Sequence, residues 1–193
     1  MPISVAGGFL IDQLYQLWRS IIPSRLHILF LLCVLAVSFL SAIYGAQQLI
    51  PILNPATILT HESDLKVIAW IDQNIPNDEL ILINPFAWGY GIFAGADGGG
   101  WIPALAGNPT IPPPVLYGLG EREQIEYINQ ISRDVINLGD SPEELWKYLS
   151  SLQIKYIYIG SRGGIISPGS LASNSHFRVI HCSDNTWVYQ LLP

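Results

Sequence analysis

Charge is scarce in this chain and missing altogether from one long part of it. Asp, Glu, Lys and Arg make up only 12% of the 193 residues, and none lies between Leu26 and Thr60. Basic residues are fewest. From Thr60 onward, 7 Lys and Arg (Lys66, Arg122, Arg133, Lys147, Lys155, Arg162, Arg178) stand singly among 14 Asp and Glu, for a net charge of −7. That excludes a nucleic-acid partner, because neutralising phosphates needs clustered cations. Cysteine is nearly absent as well. Cys33 lies in the apolar run and Cys182 near the end, so no internal disulfide is expected. The four histidines, His27, His61, His176 and His181, form no pair at ligand spacing, and neither a metal nor another cofactor is expected.

What the uncharged stretch does contain is a membrane-spanning pattern. Ile28 to Ala46 reads ILFLLCVLAVSFLSAIYGA, which at about 1.5 Å per residue gives roughly 28 Å of helix, enough to cross a bilayer. Arg19 and Arg25 precede it and no basic residue follows until Lys66. By the positive-inside rule the N-terminus is expected in the cytoplasm and the C-terminal body outside it. A secretory signal peptide is the rival reading. The apolar run exceeds the usual signal core, about 25 residues precede it, and Tyr44 stands at the −3 place if Ala46 were the cleavage residue. The expected organisation is a cytoplasmic or interfacial segment over 1–25, a transmembrane helix over 26–46, a linker over 47–60 and an extracytoplasmic α/β domain over 61–193. In the first segment Phe9, Leu10, Leu14, Leu17, Trp18 and Ile21 recur at helical spacing, which suits either an in-plane helix or an unordered leader.

The C-terminal body alternates helix and strand patterns. Ser63 or Asp64 can cap a helix whose apolar face is Leu65, Ile68, Ala69, Ile71 and Ile75 and which Pro76 stops. Leu80–Ile83 reads as a buried strand. Ile125, Ile128, Ile131, Val135 and Leu138 form a helical stripe closed by Gly139, and Ser141-Pro142-Glu143-Glu144 opens a second helix as a capping box. Ile154–Ile159 is a β-rich run, and Phe177–Cys182 with Trp187–Leu191 forms a hairpin across Ser183-Asp184-Asn185. Strand, two helices and strand imply a right-handed crossover and parallel pairing. The fold class is α/β: one N-terminal transmembrane helix, then a small mixed-sheet domain with a C-terminal β-hairpin.

Between Asn84 and Gly120 the chain is rich in Gly, Pro and aromatics: NPFAWGYGIFAGADGGGWIPALAGNPTIPPPVLYGLG. Loops this long inside a compact domain are functional or disordered, and Phe86, Trp88, Tyr90, Phe93, Trp101 and Tyr117 give this one apolar surface to bury. Gly89-Tyr90-Gly91-Ile92-Phe93-Ala94 fits a loose dinucleotide fingerprint, but Gly95-Ala96-Asp97-Gly98-Gly99-Gly100 is a poor helix start for a pyrophosphate. Asp97 reads in two ways: as a turn residue bonding nearby amides, or as an acceptor or metal ligand beside aromatic platforms in a sugar site. In the second reading the candidate ligand-binding residues are Trp88, Tyr90, Asp97, Trp101 and Tyr117; in the first those rings pin the loop to the core. His181 and Cys182 are neighbours on a strand and point to opposite faces, so they make no nucleophile and base pair. No catalytic residue is identified.

Ala69-Trp70-Ile71-Asp72-Gln73-Asn74-Ile75-Pro76, a short strand and an aromatic-glycine loop resemble the start of the extracytoplasmic C-terminal domain of polytopic GT-C-type glycosyltransferases. Oligosaccharyltransferase catalytic subunits and a group of bacterial membrane proteins share that arrangement. Asp97-Gly98-Gly99-Gly100-Trp101-Ile102-Pro103, Ala106-Gly107, Pro112-Pro113-Pro114, Ile157-Tyr158-Ile159-Gly160 and Val188-Tyr189 look like the bacterial group's loop and ending. The similarity spans approximately residues 28–193. Phe86-Ala87-Trp88-Gly89-Tyr90-Gly91 stands where oligosaccharyltransferases carry Trp-Trp-Asp-Tyr-Gly. That family keeps its metal-binding acids and lipid-carrier site on earlier membrane helices, which this chain lacks. The resemblance therefore implies a domain that is non-catalytic alone, an accessory or a truncated or split gene product, with the bilayer and a polytopic membrane protein as partners. The alternative is a stand-alone module that binds a glycan or an envelope protein through the 84–120 loop.

Overall fold

The computed structural model describes residues 3–21, 23, 27–50 and 57–193, and the chain divides into two units, Met1–Thr57 and Ile58–Pro193. The first holds α1 (Ile3–Ile21) and α2 (His27–Leu49). Trp18 and Tyr15 of α1 meet Phe30 of α2, with ring centroids 5.2 and 5.7 Å apart. The apolar stripe from Phe9 to Ile21 thus lies on a continuous helix. In α2, Ile28–Leu49 is long and apolar enough to cross a membrane, and its side chains are exposed apart from Phe30 and Val34, which are half-buried. The helix runs three residues past Ala46, where the linker was expected to begin, because Gln47, Gln48 and Leu49 contain no breaker. Pro51, Asn54 and Pro55 lie outside the described residues.

The second unit is a layered α/β domain. α3 (Glu62–Asn74) leads into β1 (Ile81–Ile83), then β2 (Pro85–Gly89), β3 (Ile92–Gly95), a 3-10 turn (Gly98–Trp101), α4 (Ile102–Leu105) and β4 (Thr110–Ile111). A second 3-10 turn (Val115–Leu119), α5 (Arg122–Leu138), α6 (Pro142–Ser151), β5 (Tyr156–Ile159), α7 (Pro168–Ala172), β6 (Phe177–Ser183) and β7 (Thr186–Leu191) follow. The five-stranded sheet has the order β4-β1-β5-β7-β6. β1 pairs parallel with β4 and β5, Ile81 opposite Tyr156, and β7 runs antiparallel to β5 and β6. The expected parallel pair and C-terminal antiparallel hairpin are both present.

Strand periodicity sorts the core into two faces. Ile81, Ile83, Tyr158 and Val188 point toward Val67, Ile68 and Ile71 of α3 and Ile102 of α4. Leu82, Ile157, Ile159 and Tyr189 point the other way, toward Ile131 and Val135 of α5, Leu145 and Leu149 of α6 and Leu171 of α7. Each such side chain, fully buried, stabilises the fold by about 1.5–3 kcal/mol.

At three helix ends the local chemistry differs from what the residues alone suggest. α3 is capped by His61, not by Ser63 or Asp64. Asp64 occupies the third helical position and takes the His61 amide at 2.6 Å, because the rest of its carboxylate is turned into the domain. Ser141 and Pro142 open α6 as expected, without a bond from the Ser141 hydroxyl to the helix. Gly139 ends α5 at φ −57, so its role is steric: a Cβ there would come within 2.9 Å of Ile165. The loop over 84–120 is more regular than its composition suggests. Its first third is a β2–β3 ribbon turned by Gly89, Tyr90 and Gly91, all at positive φ. The loose nucleotide fingerprint is thus a hairpin turn and strand, and the helical turn that follows begins only at Gly98, beyond the fingerprint.

Candidate functional site

The parallel strands β1 and β5 lie side by side, and the chain from β1, after the β2–β3 ribbon packed on α5, crosses to the face opposite the one it takes from β5. After β1 it reaches α4 on the α3 side, and after β5 it reaches α7 on the α5 and α6 side. Such a divergence opens a crevice beyond the carboxyl ends of the two strands, the usual ligand position in open α/β sheets. Here the floor of that crevice is a buried polar cluster built from residues far apart in sequence.

Asn84, directly after β1, is buried. Its amide oxygen accepts from Ile166 N–H at 2.8 Å and its amide nitrogen donates to Ile166 O at 3.2 Å, tying the segment after β5 to the end of β1. Asp97 is 2% exposed and caps the 3-10 turn: Oδ1 accepts from Gly99 N–H at 3.0 Å and Oδ2 from Gly160 N–H at 2.7 Å. Asp64, from α3, takes Tyr158 Oη at 2.6 Å and Ser161 N–H at 2.9 Å on Oδ1, and the Ser161 hydroxyl at 2.7 Å on Oδ2. Thr186 reaches the same carboxylate at 3.3 Å.

The two carboxylates respond to burial in opposite ways. Desolvation pushes Asp97 up to about 6; two amides and Asn84 oppose it, and the nearby Asp64 charge adds to it. Desolvation also acts on Asp64, but the bonds from Tyr158, Ser161 and the His61 and Ser161 amides outweigh it and hold the carboxyl below its ordinary value. Tyr158 is shifted upward, first by burial and then by its bond to Asp64, so it stays a donor.

Glycine makes this proximity possible. A Cβ on Gly160 would lie 2.8 Å from Asp64 Oδ1 and from Asp97 Cβ and Cγ, one on Gly98 would lie 2.8 Å from Asp64 Cβ and Cγ, and one on Gly164 would lie 2.5 Å from Asn84 Cγ.

His61, Ser161 and Asp64 are the residue types of a hydrolytic triad, in the wrong connection. Ser161 Oγ and Asp64 Oδ2 both address the same ring nitrogen, His61 Nδ1, at 2.8 and 3.7 Å. A relay needs the base to hold the nucleophile through one nitrogen and the acid through the other. Here the serine proton goes to a carboxylate whose basicity is lowered, and the three groups fasten the start of α3 to the end of β5. No local motif announces this cluster, since its bonds join residues up to 122 positions apart.

The five candidate residues do not converge. Asp97 is inward, with both oxygens on main-chain amides, which is the turn-residue reading; it is not an acceptor beside aromatic platforms. Tyr117 is a strut: its hydroxyl accepts from Phe93 N–H and donates to Asn129 Oδ1, both at 2.7 Å, and Asn129 in turn donates to Gly91 O. Trp101 stands 55% exposed where the first 3-10 turn becomes α4. Trp88, edge-on to Phe86 at 5.8 Å, and Tyr90 are exposed at the end of the β2–β3 ribbon. Elsewhere, His181 stacks on Trp70 at 4.5 Å, and Cys182 is a free, exposed thiol.

Above the polar floor is an open groove of about 430 Å³ lined by Phe86, Ala96, Arg162, Gly163 and Gly164. Sequence reasoning missed it, because Arg162, Gly163 and Gly164 follow β5 in a stretch of Gly, Ser and Pro that carries no periodic pattern. Among the described residues no group of three His, Cys, Asp or Glu is placed to hold a metal. No family model, curated protein or solved structure matches the chain.

Proposed function

We propose that this chain is a single-pass membrane protein whose α/β domain lies outside the cytoplasm and serves, without catalysis of its own, as an accessory to a polytopic GT-C-like membrane glycosyltransferase. The observation that carries the reading is α2, an apolar helix over Ile28–Leu49 that is exposed along almost all its length, joined to a domain whose element order resembles the C-terminal part of that family. Arg19 and Arg25 before the span set the orientation. The two buried carboxylates support a structural role, since amides and hydroxyls already occupy their oxygens. The test is extraction in mild detergent followed by identification of copurifying proteins. A polytopic membrane protein at constant ratio is the expected result, and repeated isolation of the chain alone overturns the reading.

A second reading, a module binding a glycan or envelope protein through the 84–120 loop, is favoured by Trp88 and Tyr90. Tyr90 is fully exposed and takes a left-handed backbone at φ 51, a conformation unfavourable for a bulky side chain. Nothing within the domain accounts for an aromatic ring there. Calorimetry of the full chain against a glycan panel, with Trp88→Ala and Tyr90→Ala, decides it: binding lost in the variants supports the module, and no binding to any glycan counts against its glycan form.

A further inference from the structure

We infer that the end of the β2–β3 ribbon and the second 3-10 turn form a tip through which the α/β domain rests on the headgroup layer of the bilayer that α2 crosses. The inference rests on the single-pass reading for the nearness of that bilayer, and it gives Trp88 and Tyr90 a use other than glycan binding.

The first argument is that the backbone holds both rings outward. Ala87 pairs with Phe93 and Gly89 with Ile92, so Trp88 between them is the extra residue of a bulge, a device that re-aims a side chain. Tyr90 and Gly91 close the ribbon as a two-residue turn with positive φ at both, the pattern of a type I′ turn, whose first place suits Asn, Asp or Gly. The turn itself gives no reason for a tyrosine. The second argument is that leucines join the rings. Tyr117 Oη takes Phe93 N–H at 2.7 Å, and a Cβ on Gly118 would lie 3.1 Å from Ile92, so the 3-10 turn is fastened to the ribbon. With Tyr117 turned inward, Leu116 and Leu119 beside it stand 72% and 86% exposed. Exposed apolar groups gathered in this way mark an interaction surface.

The third argument is the chemistry of the occupant. Over residues 84–120 the one formal charge is Asp97, which is buried, and exposed charge resumes only at Glu121 and Arg122. A sugar site needs polar groups beside its rings. Here the neighbours are leucines, and the Tyr117 hydroxyl is already spent on Phe93 and Asn129. A standard protein interface takes about 20–30 residues a side, far more than a ribbon end and one 3-10 turn present. Trp and Tyr favour the headgroup layer, where one end of the ring is apolar and the other wet, and leucine favours the acyl boundary beneath it. The bilayer is also close. Only residues 50–61 join α2 to α3, and at about 3.3–3.6 Å per residue they keep the domain near the surface.

The test uses the full chain in phosphatidylcholine nanodiscs, with resonances read before and after adding a lipid that carries gadolinium on its headgroup. The amides of residues 89–92 and 116–119 and the Trp88 indole N–H report the tip, and α2 reports the anchor. The expected result is broadening at the tip well above that of the β6 amides, unchanged in about 0.5 M salt because no charge is involved. It should be lost when Tyr90→Asn and Leu119→Ser are combined. Asn suits the turn better than Tyr, so Tyr90→Asn alone should unfold at the same temperature or higher; a lower one would assign the ring to the fold and overturn the inference. A tip that stays sharp while α2 broadens, broadening abolished by salt, or broadening retained in the double variant would also overturn it and leave the single-pass reading standing. An unbroadened α2 would overturn the single-pass reading, and the tip is then judged on its own broadening.

Discussion

Tyr158 of β5 donates its hydroxyl to Asp64 of α3 at 2.6 Å, across 94 positions of sequence. Both side chains are fully buried, so this bond joins the first helix of the domain to its central sheet where neither partner can turn to water. This cluster and the proposed topology lead to four predictions.

Tyr158→Phe keeps the ring and deletes the donor. Losing a buried hydrogen bond to a charged group costs about 1.5–3 kcal/mol, and Asp64 loses one of the bonds that hold its pKa down. Hydrogen exchange of the amides in β5 should speed up accordingly, with the fold retained. Unchanged exchange would mean that the bond carries no net stability.

Asp97 should titrate near 6 instead of near 4. Its folded pKa is raised, so the unfolded chain releases the proton first: the stability linked to this group is complete below the ordinary carboxylate pKa and is lost as pH rises through about 6. The loss corresponds to about 3 kcal/mol. Asp64 acts oppositely, with its contribution present at neutral pH and lost in acid as pH falls through its depressed pKa. The Gly99 and Gly160 amide shifts would report Asp97 directly; midpoints near the ordinary aspartate value would refute the assignment.

Gly160→Ala should be among the most damaging single changes, because its Cβ would meet Asp64 and Asp97 at 2.8 Å with rigid, hydrogen-bonded groups behind them. Overpacking of this kind costs about 1–3 kcal/mol or more. Gly169→Ala, in α7 with open space at its Cβ, should be neutral or stabilising by about 0.5–1 kcal/mol. Thermal unfolding of the two variants side by side makes the comparison; equal effects would contradict the packing argument.

The proposed orientation places exposed Cys182 outside the cytoplasm and Cys33, on α2, within the bilayer. A membrane-impermeant maleimide should therefore label intact cells at Cys182, and Cys182→Ser should abolish the signal. Labelling only after cell lysis would reverse the topology.

Much of the architecture was legible in the residues because periodicity is a local property. Ile125, Ile128, Ile131, Val135 and Leu138 mark α5 without reference to any other segment, and Ile154–Ile159 with the C-terminal hairpin marks the strands in the same way. The two-residue strand β4 and the β2–β3 ribbon were hidden among glycines and prolines, since neither is long enough to show a period. The candidate site was read less well. Asp97 stood out for its small neighbours and lent itself to a ligand role, yet those same glycines let Asp64, Asp97 and the Gly160 main chain pack against each other.

By itself the sequence determined that an uncharged apolar helix precedes an acidic α/β domain, because helix length, hydropathy and strand alternation depend only on neighbours along the chain. Tertiary structure alone decided that Asp64 meets Tyr158 and Ser161 and that Asp97 turns inward. Those outcomes depend on which strand ends lie side by side and on where a missing Cβ leaves room, and neither is encoded in the spacing of residues within any one segment.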